Sequence, residues 1–297
     1  MPDKQYRVLT DEQVQHFLEH GYVVVKGCVV PELAQRWTDR AYGRLGYDKQ
    51  DPTSWEKDIA WMYPENRLPV REVSARAWDA ICDVVGGEDR VEDAVLEVEG
   101  HFSAINSFEW SDAFIINFNR GADQPWQPPS AESGGWHKDG DYFRHFLNSR
   151  EQALLTIVLW SNVAHQGGGT FIAPDSIGHI ARFLAERPEG VKPGGIPFQQ
   201  IIGQCSEFVE VTGDMGDFVI LHPFMLHTSS QNVLSVPRFM SNPPVVLKEQ
   251  MDLNRPDVED FSLLEQVTLR NLGVERYDFQ PTALYESYWK VRASAAS

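Results

Sequence analysis

From residue 95 onward the chain is a series of short runs: "VLEVEG", "DAFIINFNRG", "ALLTIVLWSNV", "GTFIAP", "SEFVEVTG", "GDFVILHP" and "RFMSNPPVVL". Each is dense in β-branched or aromatic residues and bounded by Gly, Pro, Asn or Asp. Runs this short suit strands, and their flanking residues favour turns that stop pairing. The pattern predicts an antiparallel sandwich or barrel rather than a parallel sheet with alternating helices. One amphipathic segment, "SIGHIARFLAERPEG", interrupts the series as a helix.

The first 94 residues have a different texture. Thr10 with Gln13 forms a capping-box signature that opens a helix bearing Val14, Phe17 and Leu18, with Gly21 as its stop. "YVVVKG" (22–27) then predicts a strand, and Pro31 the first turn of a second helix. Residues 50–68 read as irregular connection and residues 69–85 as a helix. Past Asn254, "DFSLLEQVTLRNLG" and "ALYESYWKVRASA" read as two C-terminal helices. The expectation is one domain: a helix-rich part over about 1–94, a β core over about 95–250 and a helical appendage over about 251–297.

Charge narrows the partners. A formal net charge of -17 without a Lys/Arg stripe argues against nucleic acid and anionic membrane surfaces. No stretch approaches a membrane span and the first residues lack a signal-peptide core, so a cytosolic protein is expected. Cys28, Cys82 and Cys205 are far apart and in no CxxC pair, which favours free thiols over a disulfide framework or zinc knuckle.

The chemistry concentrates in "SGGWHKDGDYFRHF" (133–146). In a strand, alternation puts His137 and Asp139 on one face and Lys138 on the other. One imidazole and one carboxylate then share a point. A two-His, one-carboxylate site for non-haem iron needs a second His from elsewhere. "GDMGDFVILHPFMLHTSSQNVLSVPRF" offers His222 and His227. The same segment carries Arg238 on the next apolar run, and a guanidinium fork suits the distal carboxylate of a dicarboxylic acid.

These motifs, together with "GGGTFIAPDSIGH" (167–179), resemble the phytanoyl-CoA dioxygenase family of iron(II)- and 2-oxoglutarate-dependent oxygenases over about residues 8–245. The resemblance implies a mainly β fold with flanking helices around a double-stranded β-helix, the cupin-like jelly roll. It implies His137, Asp139 and His227 as catalytic iron ligands, with His222 structural. It assigns Arg238 to the distal carboxylate of 2-oxoglutarate, joined by Ser229, with Asn117, Asn119 and Trp160 also near the cosubstrate. Thr170 and His179 are expected to be structural. Trp136, Tyr142 and Phe143 are expected to wall the substrate pocket, with Asp141 if the strand runs past Gly140.

The implied reaction consumes O2 and decarboxylates 2-oxoglutarate to succinate while a C–H bond of a small organic metabolite is hydroxylated. Asp139 occupies the position that is small in related halogenases, which favours hydroxylation. Desaturation or cyclisation would use the same ligands. A CoA thioester is disfavoured, because this acidic chain supplies few cations for its phosphates. Two other classes use the same residues: a zinc hydrolase, against which Arg238 argues, and a non-catalytic metabolite-binding jelly roll.

Overall fold

A computed structural model of the chain describes residues 6–98 and 104–292. The N-terminal elements are α1 (Asp11–His20), β1 (Tyr22–Val25), α2 (Pro31–Leu45), β2 (Ile59–Trp61), β3 (Arg67–Pro69), α3 (Val70–Val73) and α4 (Ala75–Val85). β4 (Val95–Val98), β5 (Glu109–Ser111), β6 (Ile115–Asn117), β7 (Leu155–Leu159) and β8 (Thr170–Ala173) lead to α5 (Ser176–Ala185) and α6 (Phe198–Ile202). β9 (Val209–Glu210), β10 (Phe218–Leu221), β11 (Leu226–Ser229), β12 (Arg238–Ser241), α7 (Leu263–Leu272) and β13 (Trp289–Arg292) complete the chain.

Two antiparallel sheets make the jelly roll. The larger runs β1-β10-β7-β12-β6-β2 and the smaller β11-β8-β9. β10 and β7 are buried along their whole length, as expected of strands covered on both faces. α2 covers the outer face of the large sheet: Trp37 stacks on Trp160 at 4.9 Å and Tyr42 meets Phe239 at 5.5 Å. Phe239 and Ser241 therefore face α2. By alternation Arg238 and Met240 face inward, where Thr170 Oγ1 of the small sheet lies 3.5 Å from Met240 Sδ.

The capping box of α1 is present, with Gln13 N donating to Thr10 Oγ1 and Thr10 N to Gln13 Oε1, and Gly21 ends the helix in the left-handed region. β1, α2 and α5 form where their patterns predict. The helix expected over 69–85 is broken instead, because Ser74 leaves helical geometry to cap α4. The region read as irregular holds β2, an edge strand of the large sheet, and β3, which pairs with β5. α7 forms with its own capping box, Ser262 to Glu265. The second C-terminal helix is a correction: Trp289–Arg292 is a strand on β4, its β-branched and aromatic residues completing a ladder that helical periodicity cannot reveal. Residues 293–295 of that segment lie outside the described residues. No helix among the described residues is long and apolar enough to cross a membrane.

Candidate metal centre

Two backbone hydrogen bonds bring distant histidines together. His137 N donates to the His227 carbonyl at 3.1 Å and His227 N to the His137 carbonyl at 2.9 Å, adding a one-residue bridge to the free edge of β11. The imidazoles are thereby cross-strand neighbours with ring centroids 4.3 Å apart. Asp139, two residues on, reaches the same side. Its Oδ1 lies 3.5 Å from Nε2 of both His137 and His227.

The hydrogen bonds on the far ring nitrogens fix the imidazoles for ligation. His137 Nδ1 lies 2.8 Å from the Gly135 carbonyl, and His227 Nδ1 lies 3.3 Å from that of Met225. Each Nδ1–H donates outward, which leaves both Nε2 lone pairs facing Asp139. Gly135 has φ 81°, and a Cβ there would meet Thr228 Oγ1 at 3.0 Å, so the glycine before Trp136 serves the ligand geometry. Donors bound to one ion at about 2.1 Å sit roughly 3 Å apart on a shared face. The observed spacings are close to that, and among the described residues this is the group of His, Cys, Asp and Glu side chains that could hold a metal.

Electrostatics agree with the geometry. Burial opposes charge on Asp139, yet His227 and His137 outweigh it and hold the carboxyl well below its ordinary range. Burial likewise opposes charge on His137, and the Asp139 carboxylate raises it above its ordinary value. Asn242 Nδ2 lies 3.4 Å from the other carboxylate oxygen, Oδ2, which keeps Oδ1 turned to the imidazoles. The cluster opens on one side: the His137 side chain is 47% exposed while that of His227 is 9%.

Arg238 is 2% exposed. Its Nε donates to the Gly168 carbonyl at 2.8 Å and a terminal nitrogen to that of Ile115 at 3.1 Å. No carboxylate pairs with it among the described residues. Burial, with the neighbouring Arg120, pushes the guanidinium down to about 10. Gly168 (φ 83°) could not carry a side chain, since a Cβ would stand 2.8 Å from Asn117 Nδ2. Ser229 shares its strand face with His227, and its hydroxyl accepts from Arg120. Asn117 pairs with Arg238 in register, but its amide is committed to the Ser230 carbonyl and to Arg120 N. Asn119, past the end of β6, has a buried Oδ1 with no hydrogen-bond partner among the described residues.

A cavity of about 480 Å³ begins at His137 and Asp139. Tyr142 and Asp141 line it, as do Trp61, Ile115, Phe198 and Asn242. Four residues depart from the sequence expectation. Trp160 lies on the α2 side of the large sheet, its indole N–H given to Ser241 Oγ at 2.8 Å, so it cannot reach the cosubstrate face. Trp136 packs on Phe208 and Phe143 enters a small core with Leu96 and Val246, and neither lines the cavity. Lys138 does not point outward: only a single bridge holds this segment, alternation fails, and Lys138 is 7% exposed and lines the cavity. Burial pushes its ammonium down to about 7 against the pull of Asp139 and Glu151.

His222 is buried between Thr268 Oγ1 (3.0 Å) and Phe224 N (3.2 Å), away from the cluster. Thr170 is buried in β8 and His179 half-buried on α5. Sequence reasoning missed Asn242, although it stands four residues beyond Arg238 on the same alternating face. It also missed His145, whose partner Lys138 is met only through a loop, and Arg120.

Among solved structures, the chain is similar to the epimerase SnoN in complex with Fe3+, alpha ketoglutarate and nogalamycin RO. The identity is 14% over 79% of this chain and 82% of that one, with a TM-score of 0.45. It is also similar to EctD from S. alaskensis in its apoform, at 16% identity, 93% and 84% coverage and a TM-score of 0.46. A third is HygX from Streptomyces hygroscopicus with nickel and 2-oxoglutarate bound, at 14% identity, 81% and 88% coverage and a TM-score of 0.43. A search of curated proteins found no match. The model of one family, phytanoyl-CoA dioxygenase (PhyH), matches residues 17–240, more than half of the sequence and all three members of the His-Asp-His cluster, and the chain belongs to that family.

Proposed function

We propose that this protein is an iron(II)- and 2-oxoglutarate-dependent oxygenase that hydroxylates a small organic molecule. The observation that carries this reading is the combination of a convergent His137, Asp139 and His227 donor set with Arg238, a buried guanidinium lacking a carboxylate partner among the described residues. An unpaired buried charge is costly, by several kcal/mol in real proteins. A dicarboxylic cosubstrate relieves that cost and neutralises the metal.

His137 and His227 would hold iron(II) through Nε2 and Asp139 through one carboxylate oxygen. Arg238 holds the distal carboxylate of 2-oxoglutarate. Ser229 assists: its oxygen already accepts from Arg120, which leaves its own proton to donate to that carboxylate. Asn117, with its amide fixed, shapes the wall beside Arg238, and Asn119, whose Oδ1 is unpartnered among the described residues, is the weaker cosubstrate candidate. Iron(II) bound there with 2-oxoglutarate and O2 supplies decarboxylation to succinate and oxygen insertion into a C–H bond. Tyr142, Ile115 and Phe198 wall the substrate side and limit water. A zinc hydrolase could use the same donors but has no need of a buried dicarboxylate anchor.

Protein loaded with iron(II) and given 2-oxoglutarate, ascorbate and air should form succinate. His227→Gln should abolish that turnover, whereas His222→Gln, outside the cluster, should retain it. Succinate formation that persists without iron, or none with iron bound, contradicts the proposal.

A further inference from the structure

Two carboxamides in the cavity beside the donor set are each fixed at one end by a neighbour and unmet at the other. Gln152 is 3% exposed and lines the cavity. Its Oε1 accepts from the Tyr142 hydroxyl at 3.2 Å, nearer than the Glu151 carbonyl at 3.5 Å. That bond turns the amide so that its NH2 faces away from Tyr142. Neither N–H of the group has a partner among the described residues, and burial shuts it from bulk water, so a partner has to come from the cavity.

Asn242 lines the same cavity and is fixed the other way. A carboxylate only accepts, so the Nδ2 that lies 3.4 Å from Asp139 Oδ2 leaves Asn242 Oδ1 turned away from it. That oxygen also has no partner among the described residues. Lys138 and Asp141 line the cavity as well, one basic and one acidic, so neither sign of ligand is singled out. The unmet groups are a neutral donor and a neutral acceptor.

We infer that the substrate is a hydroxylated small molecule held by these two amides: Gln152 donates to one of its oxygens and Asn242 accepts from one of its O–H groups. This rests on the oxygenase reading above. A hydroxyl serves either contact, whereas a ketone or ether meets only the first. A buried amide N–H without a partner is destabilising, so a ligand oxygen at Gln152 is favoured over an apolar group of the same size. Asn242 also reaches the Asp139 carboxylate, so the hydroxyl it holds marks the metal end of the cavity, and the carbon oxidised lies close to it. The carbon skeleton packs on Trp61, 61% exposed on the edge strand β2, and on Ile115 and Phe198. About 480 Å³ suits a compound of metabolite size.

The probe is ethylene glycol, soaked into crystals of the iron(II) and 2-oxoglutarate complex kept under argon. The expected result is a diol oxygen within hydrogen-bond reach of Gln152 Nε2, absent from Gln152→Met. A wild type with no diol at Gln152, or a diol that stays in place in Gln152→Met, overturns the inference. A visible keto-acid band in the same complex separates the two claims. Its absence is the failure of the oxygenase reading, while its presence with no diol at Gln152 is the failure of the amide assignment alone. A second readout needs no variant: monosaccharides and cyclitols, with their deoxy and keto counterparts, are scored for succinate formed above the substrate-free rate. The compounds that stimulate should carry hydroxyls, and removing the hydroxyl that Gln152 holds should raise the half-saturation about tenfold. The same removal should cost nothing further in Gln152→Met. Deoxy compounds that match their parents in the wild type, or stimulation by acids, amines or hydrocarbons without hydroxyls, overturn the inference.

Discussion

Arg238 donates to two backbone carbonyls and, among the described residues, to no carboxylate, so truncating it has a defined consequence. Arg238→Ala should raise the half-saturation for 2-oxoglutarate roughly 100-fold, as loss of a buried charge-assisted fork predicts. Iron content should be spared, because the guanidinium touches none of the three donors. Cosubstrate titration with parallel metal analysis checks this, and an unchanged half-saturation contradicts it. At this scale the candidate site was legible where the signal is local. His137 and Asp139 are two apart in sequence, and Arg238 opens the next apolar run. Lys138 was not legible, since alternation presumes a strand and the chain forms only one bridge before turning at Gly140. Trp160 was misplaced because a sequence cannot say which face of a buried strand end meets a helix.

Among elements, α7 ties the C-terminal region to the body of the protein. Its Glu265 is fully buried and accepts from Arg90 at 2.6 Å and Arg255 at 3.1 Å, as well as from Ser262 N at 2.9 Å. Burial opposes the charge, but the two guanidinium groups outweigh it and take the carboxyl from 4.5 down to about 2. A depressed carboxyl stabilises the fold fully above its unfolded value, and this contribution is lost as pH falls from about 4.5 toward about 2. Thermal unfolding followed across that window should show a steep loss of stability. Glu265→Gln should lower stability near neutral pH by about 3 kcal/mol, because two cations lose their counter-charge. It should also flatten the acid decline, and an unaltered slope would contradict the assignment. The capping boxes that open α1 and α7 were legible because they use four consecutive residues. β2, β3 and β13 were not, because strands of three or four residues owe their existence to partners far along the chain.

Over the whole molecule, the two-sheet architecture does what no segment can do alone. Pairing in the small sheet sets His137 against His227, and the large sheet carries Arg238 inward toward the same space. The acidic composition, a net charge of -17, contrasts with two basic side chains buried in this interior, Arg238 and Lys138. The central claim is that this interior holds iron(II) and 2-oxoglutarate together. Anaerobic titration of 2-oxoglutarate into the iron(II)-loaded protein tests it most directly. A weak visible charge-transfer band that saturates at one cosubstrate per iron is the predicted result. A folded, iron-loaded protein that develops no such band would contradict the claim.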